Sequence, residues 1–183
     1  MKGMELRTER LVIREFRPDD EPAVHHYGSD EEVTRYLRWG PNSPTDTTAY
    51  LKRVALEAGR EPRTSFTLAV ATLEGELIGV ANLAITEEPS TGELGYVLSR
   101  ESWGHGYATE VARRLINFGF DDLGLRRITA TCHPDNLASA RVLEKSGMHP
   151  DGIIRDHRQV LGEWRDSRLF AISTDDKHDH LKD

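Results

Sequence analysis

The chain has 183 residues, a formal net charge of −7, and 37 % hydrophobic and 30 % charged residues. This balance is typical of a single folded domain and is too apolar for a disordered chain. The acidic charge argues against nucleic acid as a partner, because nucleic-acid binding relies on clustered Lys and Arg. The single cysteine, Cys132, excludes an internal disulfide framework. The sequence shows no signal peptide and no apolar run of about 20 residues, which predicts a cytoplasmic protein without a membrane partner.

The first third of the chain predicts one strand followed by helices. Leu11 and Ile13 alternate with charged residues, as expected for a strand with one buried face. Helix start and stop signals then predict three helices: one at 17–27, one that begins at a capping box of Ser29 and Glu32, and one at 45–58. The adjacent carboxylates Asp19 and Asp20 are interpreted as helix-end or solvated-turn residues rather than as an acid/base pair.

The rest of the chain alternates strand and helix signals. Runs of apolar residues separated by turn residues predict three consecutive strands at 65–72, 76–85 and 92–99. Helical spacing of apolar residues predicts a helix from Ala108 to Leu123. A strand at 128–132, a helix at 136–146 and two strands that turn at Gly162 complete the order. We expect one mixed α/β domain over 1–174 and a disordered polar tail at 175–183.

Gly104 and Gly106 lie in a turn between a predicted strand and a strong helix. Such a turn presents free backbone N–H groups and the positive end of the helix dipole, which suits a phosphate or diphosphate. A dinucleotide fingerprint would require a third glycine where Thr109 stands, and a nucleoside-triphosphate loop would require a Lys where Tyr107 stands. Both alternatives fail. By itself the turn is a weak signal, because glycine turns that merely end a strand are at least as common.

Several longer motifs occur in one order along the chain: TERL at 8–11, ELGYVL at 93–98, WGHGYATE at 103–110, HPDNLASARVLEKSGM at 133–148 and WRD at 164–166. This ordered set resembles the GNAT acetyltransferase superfamily, in particular its branch of ribosomal-protein-alanine and -serine N-acetyltransferases. The resemblance covers most of the chain. It implies a central, mostly antiparallel sheet of about seven strands, flanked by about four helices and splayed open between the strands at 93–98 and 127–132.

The resemblance implies an N-acetyltransferase that moves the acetyl group of acetyl-CoA to a primary amine, either a protein N-terminus or a small amine. The transfer would be direct, because binding both substrates in line removes much of the entropic barrier. The pantetheine arm would enter the open sheet and pair with strand backbone. The residues that would hold the coenzyme lie on the strand end, the turn, the helix that follows it and the last predicted helix: Leu98, Ser99, Arg100, Trp103, Gly104, His105, Gly106, Tyr107, Ala108, Thr109, Asn136 and Ser139.

We predict three catalytic groups. Glu93 would accept a proton from the amine through a water, the Ser139 hydroxyl would donate a hydrogen bond to the departing thiolate, and the N–H of Leu98 would polarise the thioester carbonyl. The chain departs from the family pattern twice. Leu143 stands where many members have a Tyr that acts as general acid. Glu101 stands where many members have Gln or Arg, and we expect it to face solvent.

Acceptor residues follow from the resemblance alone. Tyr36 and Trp39 would form one wall of the acceptor site and Arg158 the other, although Trp39 is equally well interpreted as a buried anchor. No metal is predicted, because the histidines lack ligand spacing. The acceptor would be a small-molecule or peptide amine. The resemblance to the family also allows a homodimer.

Plainer interpretations remain open. Asn136 suits a helix N-cap, Ser139 a first-turn serine, Glu93 a solvent-facing strand residue and Cys132 a core residue. At the level of function, the alternatives are an acyl-CoA-binding regulatory module without turnover and a transferase for another acyl group or a hydroxyl acceptor.

Overall fold

The structure is a computed structural model that describes residues 3–160 and 162–179. In these ranges eight strands form one sheet and six α-helices accompany it. The strands are β1 (Glu5–Arg7), β2 (Leu11–Arg14), β3 (Ser65–Thr72), β4 (Leu77–Ile85), β5 (Thr91–Leu98), β6 (Arg127–Cys132), β7 (His149–Val160) and β8 (Glu163–Ser173). The helices are α1 (Glu21–Gly28), α2 (Glu31–Thr34), α3 (Pro44–Ala58), α4 (Tyr107–Asn117), α5 (Leu137–Lys145) and α6 (Thr174–Asp179).

The spatial order of the strands is β1-β2-β3-β4-β5-β6-β8-β7, and every neighbouring pair is antiparallel except β5 and β6. The mixed α/β class and the mostly antiparallel sheet are therefore as predicted. The extra strand is β1, which pairs Glu5 with Arg14 on β2. Its three residues contain one buried side chain, Leu6, which is too short a pattern to identify from the sequence.

The sheet opens between β5 and β6. Their parallel pairing begins at Thr91 and Arg127 and stops at Glu93 and Thr129, although β5 continues to Leu98. Over the same stretch β5 stays paired with β4, and β6 stays paired with β8 as far as Cys132. Each strand thus follows its other neighbour, and a gap separates the second halves of β5 and β6.

Helices cover both faces of the sheet. Leu98 on β5 packs in the main core with Val111 and Leu115 of α4, whereas its neighbour Val97 packs in a second cluster with Tyr27 of α1. Successive residues of a strand point to opposite faces, so α4 and α1 lie on opposite sides of the sheet. The helix α5 packs beside α4, and α3 packs beside α1.

Three local predictions need correction or comment. The cap of α2 is Asp30 rather than Ser29, because the Asp30 side chain accepts the N–H of Glu32 at 2.9 Å. The helix predicted from Ala108 ends as α4 at Asn117 and continues as one wider turn of the π type at Phe118–Asp122. The segment predicted as a disordered tail begins with α6, and its residues 180–183 lie outside the described residues.

Asp20 is a helix-end residue at the start of α1, as one of its interpretations predicted, but it is buried rather than solvated. It forms a two-pronged ion pair with Arg14 on β2, with Nη–Oδ distances of 2.8 and 2.9 Å, and the two side chains are only 7 % and 9 % exposed. Arg14 occupies a position on the buried part of β2 that the alternating pattern of Leu11 and Ile13 did not reveal. The pair ties β2 to the start of α1.

Within the described ranges, none of the helices combines the length and the apolar character that crossing a bilayer requires.

Candidate active site

The backbone of β5 supplies unpaired hydrogen-bonding groups at the gap in the sheet. The N–H of Ser99 donates to Ile78 at 2.8 Å on the β4 side, and the carbonyl of Gly92 accepts the Thr129 hydroxyl at 3.3 Å on the β6 side. Backbone groups of a strand alternate between its two edges, so the odd residues face β4 and the even residues face β6. Beyond the last β5–β6 pair, the N–H groups that face the gap are those of Tyr96 and Leu98.

The turn that follows β5 has the backbone conformation that its glycines predict. Gly104 and Gly106 have φ values of 77° and 79°, in the left-handed region that favours glycine. Gly106 is the N-cap of α4, and the first helical hydrogen bond runs from Glu110 N–H to the Gly106 carbonyl at 3.1 Å. The preceding N–H groups, from Tyr107 to Thr109, have no acceptor inside the helix. This geometry suits a bound diphosphate.

Glu110 anchors this turn to the hairpin between β1 and β2. Its Oε1 accepts the Thr8 hydroxyl at 2.5 Å and the Arg10 N–H at 2.9 Å, and its Oε2 accepts Arg10 Nε at 2.8 Å. Arg10 also donates from Nη1 to the carbonyl of His105 at 2.9 Å. Burial by itself would raise the pKa of Glu110, but the hydrogen bonds from Thr8 and Arg10 outweigh it and lower that pKa. The segment TERL therefore buttresses the turn.

Three other predicted coenzyme residues make contacts within the protein. Ser99 uses its N–H toward β4 and its hydroxyl toward Ser102 at 2.9 Å, so its hydrogen bonds shape the turn and do not themselves favour a coenzyme contact. The indole of Trp103 donates to the Leu98 carbonyl at 3.0 Å. Of the two backbone polar groups of Leu98, the N–H is therefore the one that stays unpaired at the gap. Arg100 reaches Asp30, the cap of α2, at 3.3 Å. Contacts of Ser99, Arg100 and Trp103 with the coenzyme stay predictions.

Glu101 lies in the same turn and faces solvent, as expected from its charge. Its side chain is 62 % exposed, and its Oε1 lies 3.1 Å from Nε2 of His26 on α1. Charge repulsion between Glu101 and a diphosphate is therefore screened by water.

On the α5 side of the gap, Ser139 meets a residue that sequence analysis missed. The phenol oxygen of Tyr96 lies 3.1 Å from Oγ of Ser139. Burial raises the pKa of Tyr96 far above its ordinary value, so the phenol keeps its proton and can donate it in a hydrogen bond. Leu143, at the place of the family's Tyr, is 1 % exposed and apolar. The signal for Tyr96 lies in the packing of α5 against β5, which no local pattern contains.

Asn136 is a helix N-cap, as its plainer interpretation predicts, and its side chain also has unused hydrogen-bond donors. It is the N-cap of α5, and its Oδ1 accepts the Ser139 N–H at 3.1 Å. The amide nitrogen of its side chain has no hydrogen-bond partner among residues 3–160 and 162–179. The cap therefore fixes the direction of the side chain and leaves two N–H donors available.

On the other face of β5, Glu93 joins a polar cluster that spans the gap. Its Oε1 accepts Nη2 of Arg158 at 2.9 Å and the hydroxyl of Thr131 at 3.3 Å, and Arg158 also donates to Thr131 at 2.8 Å. Burial first, and the charge of Arg38 second, lower the pKa of Arg158. Two residues predicted for different roles, Glu93 and Arg158, are thus in direct contact.

The segment after α2 lies over the end of β6. The ring of Tyr36 stacks on His133, the residue that follows β6, with ring centroids 5.0 Å apart. Trp39 is 38 % exposed and lies beside Gly28 at the end of α1, so it is neither a core anchor nor fully free. Cys132 itself is buried, and its burial raises the pKa of its thiol, so it is the core residue that its plainer interpretation describes.

In the part of the chain that the structure describes, no three His, Cys, Asp or Glu side chains are grouped as metal ligands would be. The prediction of a metal-free site stays a prediction.

Comparison with known proteins agrees with this geometry. The family described as "Acetyltransferase (GNAT) domain" matches residues 10–149. The chain is 34 % identical to an uncharacterized N-acetyltransferase of Bacillus subtilis, YnaD, over 92 % of this chain and 96 % of that protein. It is 32 % identical to a GNAT-family acetyltransferase from Bacillus anthracis, whose crystal structure superposes with a TM-score of 0.82 over 93 % of this chain and 98 % of that one.

The ribosomal-protein branch is also among the structural neighbours. The crystal structure of ribosomal-protein-S5-alanine acetyltransferase from Vibrio fischeri superposes with a TM-score of 0.80 at 23 % identity, over 94 % of this chain and 98 % of that one. At that identity the likeness concerns the fold.

Fold, gap and relatives together define an acetyl-CoA-dependent acetyltransferase. More narrowly, the chain belongs to the GNAT acetyltransferase family. The resemblance drawn from its motifs is confirmed.

Proposed function

We propose that the protein transfers the acetyl group of acetyl-CoA directly to a primary amine of a small molecule or peptide. The observation that carries this proposal is the gap beside β5, where the N–H groups of Tyr96 and Leu98 face an opening next to the glycine turn. A pantetheine arm has amide groups that can pair with such an edge as an added strand would. The turn before α4 would hold the diphosphate.

The chemistry follows from the groups on the two sides of the gap. The amine nitrogen attacks the thioester carbonyl carbon, a C–N bond forms, the C–S bond breaks, and the coenzyme leaves as a thiolate. The N–H of Leu98 would stabilise the negative charge that develops on the carbonyl oxygen. Ser139, itself hydrogen-bonded to Tyr96 at 3.1 Å, would donate to the thiolate.

The amine must also lose a proton, because it attacks as the neutral base. Glu93 lies on β5 beside the gap that would hold the thioester, and it would accept that proton through a water. Its ion pair with Arg158 engages Oε1 only, and Oε2 accepts no hydrogen bond from the described residues. Oε2 is the atom we assign to this role.

The test is release of free thiol from acetyl-CoA in the presence of amines from each acceptor class: amino acids, peptides with free N-termini, polyamines and aminoglycosides. We expect amine-dependent thiol release together with an acetylated product of the matching mass. Binding of acetyl-CoA without thiol release across the panel would instead indicate a regulatory module. Faster turnover with a longer acyl-CoA, or with a hydroxyl acceptor, would indicate one of the other transferases.

A further inference from the structure

Three guanidinium groups belong to the acceptor side of the gap. Arg158 on β7 lies directly opposite Arg165 on β8, so the two side chains leave the hairpin on the same face. Arg38 approaches from the segment that the Tyr36–His133 stack holds over β6. Its side chain is exposed, and its positive charge is the second cause, after burial, that lowers the pKa of Arg158 on the hairpin.

The carboxylates of the site do not balance this charge. Among the described residues, Glu93 is the one acidic side chain that forms an ion pair with any of these three arginines. Its partner is Arg158. Arg38 and Arg165 form no ion pair and no side-chain hydrogen bond with any described residue. Several guanidiniums elsewhere in the fold are matched by an acid, as Arg14 is by Asp20 and Arg63 by Glu15.

Like charges placed opposite each other on a hairpin are destabilising, and burial increases the cost. Arg38 is the positive charge that lowers the pKa of Arg158, and an anionic group bound among the three arginines would offset this repulsion. A guanidinium binds a carboxylate through two parallel hydrogen bonds, which adds geometric selectivity to the charge. The positive charges of the same arginines would repel a polycationic amine.

We propose that the acceptor is a primary amine that also carries an anionic group, a carboxylate above all, and that Arg38, Arg158 and Arg165 hold this group while the amine lies near Glu93. This inference rests on the proposed function and specifies its substrate class. Specificity for the acceptor is then a matter of charge on one side of the gap, separate from the coenzyme turn on the other.

The first test compares amines that differ by one negative charge. Free amino acids are set against their amides, and dipeptide amides with Glu as second residue against those with Gln, with thiol release as the readout. We expect kcat/KM to be at least about tenfold higher for the charged member, equivalent to about 1.4 kcal/mol. The first set of pairs reports an α-carboxylate next to the amine, and the second reports a side-chain carboxylate.

Two variants tie the preference to the arginines. Arg38→Gln and Arg165→Gln should each lower kcat/KM for the charged acceptor about tenfold, mainly through KM, and leave the neutral acceptor unchanged. Arg60→Gln is the matched control, since Arg60 is exposed after α3 and its side chain forms no hydrogen bond or ion pair with the described residues. Equal use of both members of every pair, a charge preference that survives in both variants, or a preference for spermidine overturns the inference.

Binding of product analogues separates this inference from the proposed function. N-acetyl amino acids and their amides are titrated calorimetrically into the protein saturated with coenzyme A. If no amine releases thiol, the proposed function fails, yet tighter binding of the N-acetyl amino acid that is lost in Arg38→Gln still supports the anion site. If the acid and the amide bind equally, the anion site is refuted whatever the turnover.

Discussion

The hydroxyls of Ser139 and Tyr96 form the one side-chain pair that joins α5 to β5 beside the gap in the described structure. Tyr96 is buried and protonated, so it can polarise Ser139 without a formal charge. We regard Ser139 as the group that meets the thiolate and Tyr96 as a positioning residue that acts through it. This arrangement would substitute for the Tyr that Leu143 replaces.

We expect Ser139→Ala to lower kcat about 100-fold, as loss of one transition-state donor does, and Tyr96→Phe to lower it about tenfold. KM for acetyl-CoA should stay nearly constant in both, because the lost interaction strengthens only as the thiolate forms. Steady-state kinetics of both variants and of the double variant provide the measurement. The effects should be non-additive, since one group acts through the other. Additive losses would show that the two hydroxyls act independently.

Asp20 and Arg14 form a buried ion pair whose effect on stability depends on pH. Burial by itself would raise the pKa of Asp20, but hydrogen bonds from Arg14 and from the Arg17 N–H outweigh it and hold that pKa below its ordinary value. A carboxyl whose pKa is lower in the folded state adds stability that is present above its unfolded pKa of about 3.9. That contribution is lost as the pH falls through the folded pKa.

Asp20→Asn should therefore reduce the free energy of unfolding at pH 7 by about 3–5 kcal/mol, because it leaves Arg14 buried without a partner. The difference between wild type and variant should shrink as the pH falls below about 4. Urea unfolding at a series of pH values measures both effects. Asp19→Asn is the control, since Asp19 is exposed next to the pair. A pH-independent difference would contradict the linkage.

At the scale of elements, the turn between β5 and α4 is held from two sides. Glu110 ties it to the β1–β2 hairpin, and the Arg100–Asp30 contact ties it to α2. Its backbone N–H groups are thereby fixed before any ligand binds, which lowers the entropic cost of binding an anion. At Gly104 an added Cβ would meet no atom of the protein within 4 Å.

Gly104→Ala should weaken coenzyme A binding at least about tenfold, by about 1.4 kcal/mol, because its methyl group would project toward the bound diphosphate. The same substitution at Gly75 is a matched control. Gly75 also has a positive φ, 95°, and open space around its missing Cβ, but it lies in the β3–β4 turn. Both variants should lose about 1–2 kcal/mol of stability from backbone strain. Calorimetric titration and urea unfolding measure the two effects, and equal coenzyme affinity in the two variants would exclude Gly104 from the site.

At the scale of the whole molecule, the sheet consists of two parts joined by a short parallel contact. Strands β1 to β5 form one part, and β6, β8 and β7 form the other; only residues 91–93 and 127–129 pair between them. The gap opens where this contact stops, between helices α4 and α5 on one face and the Glu93–Arg158 pair on the other. In the proposed function, coenzyme and acceptor would approach from different sides of one sheet.

This arrangement predicts a specific pattern of hydrogen exchange. The amides of Tyr96 and Leu98 should exchange fast in the free protein and slowly with acetyl-CoA bound, because its pantetheine amides and thioester carbonyl supply their missing acceptors. The amide of Val97 faces β4 and should be protected in both states. Residue-resolved exchange by NMR measures all three. Unchanged exchange at Tyr96 and Leu98 in the saturated protein would show that the coenzyme does not bind at this edge.

The sequence by itself determined most of the elements and the glycine turn after β5. Hydrophobic periodicity located nearly every strand and helix, and Gly104 and Gly106 predicted a turn at the place where the structure has positive φ at both residues. These features depend on residues that are neighbours along the chain, so local patterns suffice to identify them. The ordered motifs also sufficed to identify the family, which the comparisons confirm.

Only the tertiary structure decided which side chains act together. The Tyr96–Ser139, Glu93–Arg158 and Thr8–Glu110 contacts join residues 43, 65 and 102 positions apart. Contacts at such separations depend on how the sheet splays and on how helices pack against it, and no periodicity in the sequence encodes them. For the same reason Asp20 could not be distinguished from a solvated carboxylate until Arg14 was found beside it.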